Sequence, residues 1–231
     1  MVKNSAKGLV RFWLKVLLLN FKMTTGKAFW GHAFWVVMHY IAFNIANKTD
    51  YHVLIDCFAK LIPCKQCKQH FLKNLEKYPL RNYTHSNDSL FYHSYVLHDL
   101  VNKIKIPPVT SPSFESIKLS YQRMKFADYE KNMWHTLFVI AALLKDVDAQ
   151  YLKMLLVFFV NNIQEGKVNY EEFLLKYSPD VYLRNNKDAF FYIYLFYSHI
   201  YKKKGITVYK YLQVKTSYFA GVGEDCKDCK I

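Results

Sequence analysis

Leu61-Ile62-Pro63-Cys64-Lys65-Gln66-Cys67-Lys68-Gln69-His70-Phe71 places two thiols three residues apart at the start of a predicted helix. Pro63 lacks a backbone N–H and has a fixed φ, which suits a first helical turn, where unpaired amides and the positive dipole end favour a thiolate. Residues three apart share a helix face, so Cys64 and Cys67 can close a small disulfide ring. Lys65 and Lys68 add positive charge, and a lowered thiol pKa is what a dithiol needs to attack at neutral pH. The stretch therefore reads as a redox centre. It reads equally as half of a structural zinc site, with His70 a further candidate ligand.

The cysteines elsewhere leave both readings open. There are five, arranged as Cys64–Cys67, Cys226–Cys229 and a single Cys57. A secreted disulfide scaffold would use more bridges in a shorter chain, so these are redox or metal pairs. The chain has 231 residues, a net charge of +14, 52% hydrophobic and 18% aromatic residues. That composition describes a basic, core-forming globular protein and excludes a disordered one. Its charge attracts nucleic acid, anionic membrane or acidic proteins without specifying any of them, and no nucleic-acid recognition motif is present. Only seven Gly and six Pro interrupt the apolar periodicity, which predicts an all-α fold.

Residues 1–27 carry six Lys or Arg and no acid. Their apolar run, Phe12 to Leu19, is interrupted by Lys15 and is too short to span a bilayer, so we expect an amphipathic segment and no transmembrane helix. Next, Gly31, Trp35 and His39 recur every four residues in a helical run. That spacing stacks them on one face, with Gly31 leaving a gap where a flat ligand could lean against Trp35 and His39. By itself an aromatic stripe of this kind is more often core than ligand site. A helix over Tyr51–Leu61 precedes Pro63, and another runs from Cys64 to about Lys77, ended by Pro79. Asn87 or Asp88 is placed to cap a helix that carries His98, Val101, Asn102 and Lys105 and stops at Pro107-Pro108.

Three blocks, Trp30-Gly31-x-x-x-Trp35-x-x-x-His39, Pro63-Cys64-x-x-Cys67 and His98-x-x-Val101-Asn102, resemble in order and type the Erv/ALR family of FAD-dependent sulfhydryl oxidases, above all the compact versions of large DNA viruses. The resemblance covers about residues 30 to 108. It implies a four- or five-helix bundle around FAD, with Trp35 and His39 near the adenine. His98, Val101 and Asn102 would line the flavin, Lys105 would approach the phosphates, Cys67 would lie against the isoalloxazine, and Cys64 would exchange with incoming disulfides. It further implies protein dithiol substrates, oxygen as electron acceptor, hydrogen peroxide as product, a possible homodimer, and a viral protein of host cytoplasm or virion. Two departures stand out. Asp99 replaces the Asn usual after the histidine, and Lys103-Ile104-Lys105-Ile106-Pro107 replaces the usual ending.

From Met124 onward a second apolar series begins. Trp134 follows Trp35 by 99 positions, Phe191-Tyr192 follows Phe91-Tyr92 by 100, and Tyr218 follows Tyr121 by 97, offsets that suggest duplication. No cysteine lies between residues 68 and 225, so this series can do no thiol chemistry. It resembles the degenerate Erv-like halves of quiescin-type and insect-viral oxidases. The expected organisation is a basic segment 1–27, an oxidase domain 28–123, a second helical domain 124–218, and a tail 219–231. Cys226 and Cys229 in that acidic tail suit a shuttle pair. The alternative joins Cys64, Cys67, Cys226 and Cys229 into one zinc site of a basic nucleic-acid-binding or structural protein.

Overall fold

The computed structural model describes residues 27–221 apart from 106, 146, 147, 164 and 184–187. Residues 1–26 of the expected amphipathic segment 1–27 and the Cys226–Cys229 pair lie outside these residues. Among the described residues all regular structure is helical. In chain order the helices are α1 (Lys27–Asn44), α2 (Tyr51–Leu61), α3 (Lys65–Lys77), α4 (Asn87–Lys103), α5 (Phe114–Gln122), α6 (Phe126–Leu143), α7 (Ala149–Asn162), α8 (Lys167–Lys176), α9 (Pro179–Tyr182), α10 (Ala189–Lys203) and α11 (Tyr211–Gly221). No described helix is long and apolar enough to cross a membrane.

α1 is apolar nearly all round because it is central, packed on one side by α4 and on another by α6. Its Val37 and Ala42 are fully buried. α2 ends because Pro63 forces the residue before it out of helical geometry, and Ile62 sits at φ −57°, ψ 120°. The break corrects one expectation: Pro63 precedes the helix instead of forming its first turn, and Cys64 is the N-cap of α3, its Sγ accepting from the Cys67 amide at 3.2 Å. α4 is capped by Ser86, whose hydroxyl accepts from the Ser89 amide at 3.0 Å, and not by Asn87 or Asp88. Asn87 instead donates to the Phe43 and Ile45 carbonyls, both at 3.0 Å, and so ties the start of α4 to the end of α1.

The helices of the second half take up the contacts of the first in the same order. As α4 and α5 cover α1, α10 and α11 cover α6; α1 packs on α6, and α2 on α7. Individual side chains match as well. His39, Phe91 and Tyr121 form a triangle of rings 5.3–5.5 Å apart, and Phe138, Phe190 and Tyr218 form another with spacings of 4.9–6.0 Å. His93 Nε2 meets the Tyr78 carbonyl at 2.9 Å and the Tyr192 hydroxyl meets that of Tyr177 at 2.7 Å. The Tyr95 hydroxyl donates to the Pro112 carbonyl and Tyr194 to Tyr209, both at 2.9 Å. Across the α1–α6 seam Tyr40 stacks on Tyr129 at 4.1 Å, and His135 Nε2 meets the Phe29 carbonyl at 2.7 Å.

Candidate functional site

Trp35 on α1 and His98 on α4 lie face to face, their rings 4.3 Å apart and within 5° of parallel. Both are half-buried, whereas His39, one turn after Trp35, is buried behind them. The α1–α4 packing brings the two histidines together, with His39 Nε2 at 3.0 Å from His98 Nδ1. His39 Nδ1 meets the Ser94 hydroxyl at 2.7 Å, and that hydroxyl donates to the Phe91 carbonyl, also at 2.7 Å.

This chain fixes the tautomers. A hydroxyl has one hydrogen, and with Ser94's given to Phe91 its oxygen accepts from His39 Nδ1–H. His39 Nε2 is then the acceptor for His98 Nδ1–H, which leaves His98 Nε2 as an acceptor with its lone pair in plane. The assignment rests on the hydrogen-bond network. Burial holds the His39 imidazolium pKa well below its usual value, with the neighbouring His98 adding to the effect. His98 is pushed down to about 4, chiefly by burial and then by the Lys105 and His32 charges. Two neutral imidazoles and an indole thus form one polarisable ring cluster, Trp35 and His98 stacked face to face with His39 tilted behind them.

Beyond the end of α4, Lys105 donates to Asn102 Oδ1 at 2.5 Å, and Asn102 Nδ2 donates to the Ser111 hydroxyl at 3.0 Å. The backbone carbonyl of buried Asn102 also accepts from the Val109 amide at 3.0 Å. Asn102 therefore acts as a clamp that holds Lys105 and the 109–111 loop. The departure at position 99 is accounted for too: Asp99 faces outward and pairs with Lys103 at 2.6 Å, which holds its carboxyl below the usual range. That pairing leaves Lys105, not Lys103, on the His98 side. Val101 is half-buried on α4, one turn after His98, and Gly31 is half-buried on α1, one turn before Trp35.

The dithiol reaches this region through α3, which packs on α4 as well as on α2. Cys64 and Cys67 are both half-buried against the core. Their turn points the Cys67 backbone amide at Cys64 Sγ, at 3.2 Å. Cys57 is fully buried, in no disulfide, and its thiol is pushed up to about 12 by burial and by Asp56. It is thus an inert core thiol. Among the described residues no cluster of three or more His, Cys, Asp or Glu could hold a metal ion. Sequence reasoning missed Ser94, which orients His39, and Ser111, which anchors Asn102. It weighed Tyr121 as a repeat marker and not as a ring beside His39.

The matching region of the second half is built differently. Phe138 stands where His39 does, and Tyr197, at the position of His98, meets Trp134 edge-on at 5.5 Å and 81°. Glu130, 99 residues after Gly31, is buried and accepts from the Tyr170 hydroxyl. Lys204, 99 residues after Lys105, donates to both Glu130 carboxylate oxygens at 2.7 Å. A carboxylate–lysine pair occupies this half at the positions that Gly31 and Lys105 hold in the first.

Residues in the first half can hold a flat aromatic ligand bearing a diphosphate. They offer the Trp35–His98 ring stack, an in-plane acceptor at His98 and a positioned cation at Lys105. Residues 32–118 match the model of the Erv1 / Alr family. Comparison with curated proteins and with solved structures finds no match.

Proposed function

We propose, from the premise that residues 32–118 form an Erv1 / Alr family domain, that this oxidoreductase is an FAD-dependent sulfhydryl oxidase that makes disulfides in protein substrates and passes the electrons to oxygen. The observation that carries the reading is the neutral Trp35–His98–His39 ring cluster on α1 and α4, the second of which packs against the dithiol-bearing α3. FAD, when bound there, supplies the two-electron acceptor that reoxidises the dithiol.

The chain's own residues supply the rest. The outer faces of the Trp35–His98 stack would meet a planar ring system, and His98 Nε2 would accept a hydrogen bond from it. Lys105, steadied by Asn102, neutralises phosphate charge. Cys226 and Cys229 collect electrons from a substrate dithiol, and one of their thiolates attacks Cys64 Sγ of the Cys64–Cys67 disulfide. The S–S bond breaks and Cys67 leaves as a thiolate. The second tail thiol, losing its proton, then attacks the mixed disulfide and releases Cys64. A leaving thiol of low pKa speeds each exchange, which the amide-capped turn and Lys65 and Lys68 favour. Residues 124–218 support the reading as a degenerate copy whose face against α1 and α2 stands in for a partner subunit, since its packing matches and its ligand groups do not.

The test is the absorption spectrum of the purified chain with turnover of dithiothreitol. The expected results are a flavin spectrum and activity abolished by C64S or C67S. A colourless protein that binds no added FAD overturns the reading.

A further inference from the structure

One groove adjoins the dithiol turn and is walled by both halves of the molecule. Its volume is about 290 Å³. Pro63 and Lys65, the neighbours of Cys64 in sequence, line the first wall together with Lys60 and Lys68. The opposite wall is the segment that follows α6, with Leu144, Lys145 and Asp148. The groove thus presents four ammonium groups and one carboxylate. None of the four lysines is ion-paired among the described residues: Lys68 donates to the Lys60 carbonyl at 2.7 Å and Lys60 lies over the Tyr151 ring at 5.8 Å. With one carboxylate against four ammonium groups, the slot stays net cationic and selects an acidic ligand.

The chain carries such a ligand. Val222-Gly223-Glu224-Asp225-Cys226-Lys227-Asp228-Cys229 sets three carboxylates around the second C-x-x-C. Tyr218, in the last turns of α11, packs on Phe138 at 4.9 Å between ring centres. Leu143, another groove residue, lies five residues further along α6, roughly 8 Å at 1.5 Å per residue. Cys226 lies five residues beyond Gly221, a reach of up to about 17 Å at 3.3–3.6 Å per residue.

We propose that this groove seats the acidic tail of the same chain and presents its dithiol to Cys64. The inference deepens the oxidase reading and rests on it. The second half thereby contributes directly to the working site: its Leu143, Leu144, Lys145 and Asp148 line one wall of the seat, so the groove exists only when both halves are present. Electron transfer from tail to core is the exchange written above. Two thiols of the tail become a disulfide, the Cys64–Cys67 disulfide becomes two thiols, and no further oxidant is needed.

The experiment traps the encounter in the full-length flavoprotein. In a C67S/C229S background, oxidation by diamide leaves a Cys64–Cys226 bond, quantified by peptide mass spectrometry under rapid acid quench. K60E/K145E should slow its formation about tenfold, with the flavin spectrum unchanged and, in the otherwise wild-type chain, dithiothreitol turnover unchanged. Adding E224K/D225K/D228K to that variant should restore the rate. In the unaltered groove the rate should fall several-fold as ionic strength rises from about 0.02 to 0.5 M, where the screening length shrinks well below 10 Å. An unchanged rate in K60E/K145E, or no salt dependence, overturns the groove proposal and leaves the shuttle intact. Absence of any Cys64–Cys226 bond removes both groove and shuttle, while a normal flavin spectrum in that case still upholds the oxidase reading.

Discussion

Acid should weaken this protein through His98, and the size of the effect follows from its surroundings. The folded chain holds the imidazole neutral with a pKa of about 4, whereas an unfolded chain protonates it near 6.5. Protonation therefore favours unfolding. The contribution is complete above about pH 6.5 and is lost as pH falls toward 4. From linkage, the loss between pH 7 and pH 5 is about 2 kcal/mol, rising toward 3 kcal/mol at pH 4. His39, buried behind it and held neutral as well, steepens the curve in the same direction. The assay is urea denaturation at a series of pH values, followed by far-ultraviolet circular dichroism, for the wild type and for H98Q. Buried histidines away from this pair act equally in both proteins, so the difference reports His98 together with its coupling to His39. H98Q should lose about 2 kcal/mol less than the wild type over this interval. Equal acid sensitivity in the two proteins would refute the neutral hydrogen-bonded pair.

Further outcomes are expected elsewhere in the molecule. K204M strands the buried Glu130 carboxylate with Tyr170 alone and should cost about 3 kcal/mol in urea denaturation, with E130Q/K204M recovering most of it. Purified protein should carry one FAD per chain, read from absorbance against protein concentration; two per chain would show the second half to be a working site. C57A should cost about 1–2 kcal/mol of stability and leave dithiothreitol turnover unchanged, with Cys57 unreactive to thiol reagents until the protein unfolds. S94A should loosen FAD binding several-fold by freeing the His39 tautomer, read by fluorescence titration, whereas S89A, outside that hydrogen-bond chain, should not.

Much of the architecture was legible because local rules decided it. Prolines at 63, 79, 107 and 108 mark three helix boundaries, and the four-residue spacing of Gly31, Trp35 and His39 puts them on one face of α1. The cap of α4 was misjudged by one to two residues because Ser86, Asn87 and Asp88 all suit the position. Only the fold reveals that the Asn87 side chain is occupied by the end of α1. The roles of Ser94 and Ser111 could not be read, since each depends on a partner from a distant or looping segment and neither has a distinctive spacing. The clamp role of Asn102 was hidden for the same reason, although the residue itself was singled out. Glu130 was unreadable until the register of the two halves placed it opposite Lys204.

The α1–α6 seam has a consequence for how the chain tolerates change. When two identical subunits pair, every substitution appears on both sides of the axis and must suit both. Here each face is written by its own stretch of sequence, so a glycine at 31 and a glutamate at 130 coexist. The seam also cannot be diluted apart: its two faces meet as parts of one chain, at an effective concentration set by the connection and not by how much protein a compartment holds.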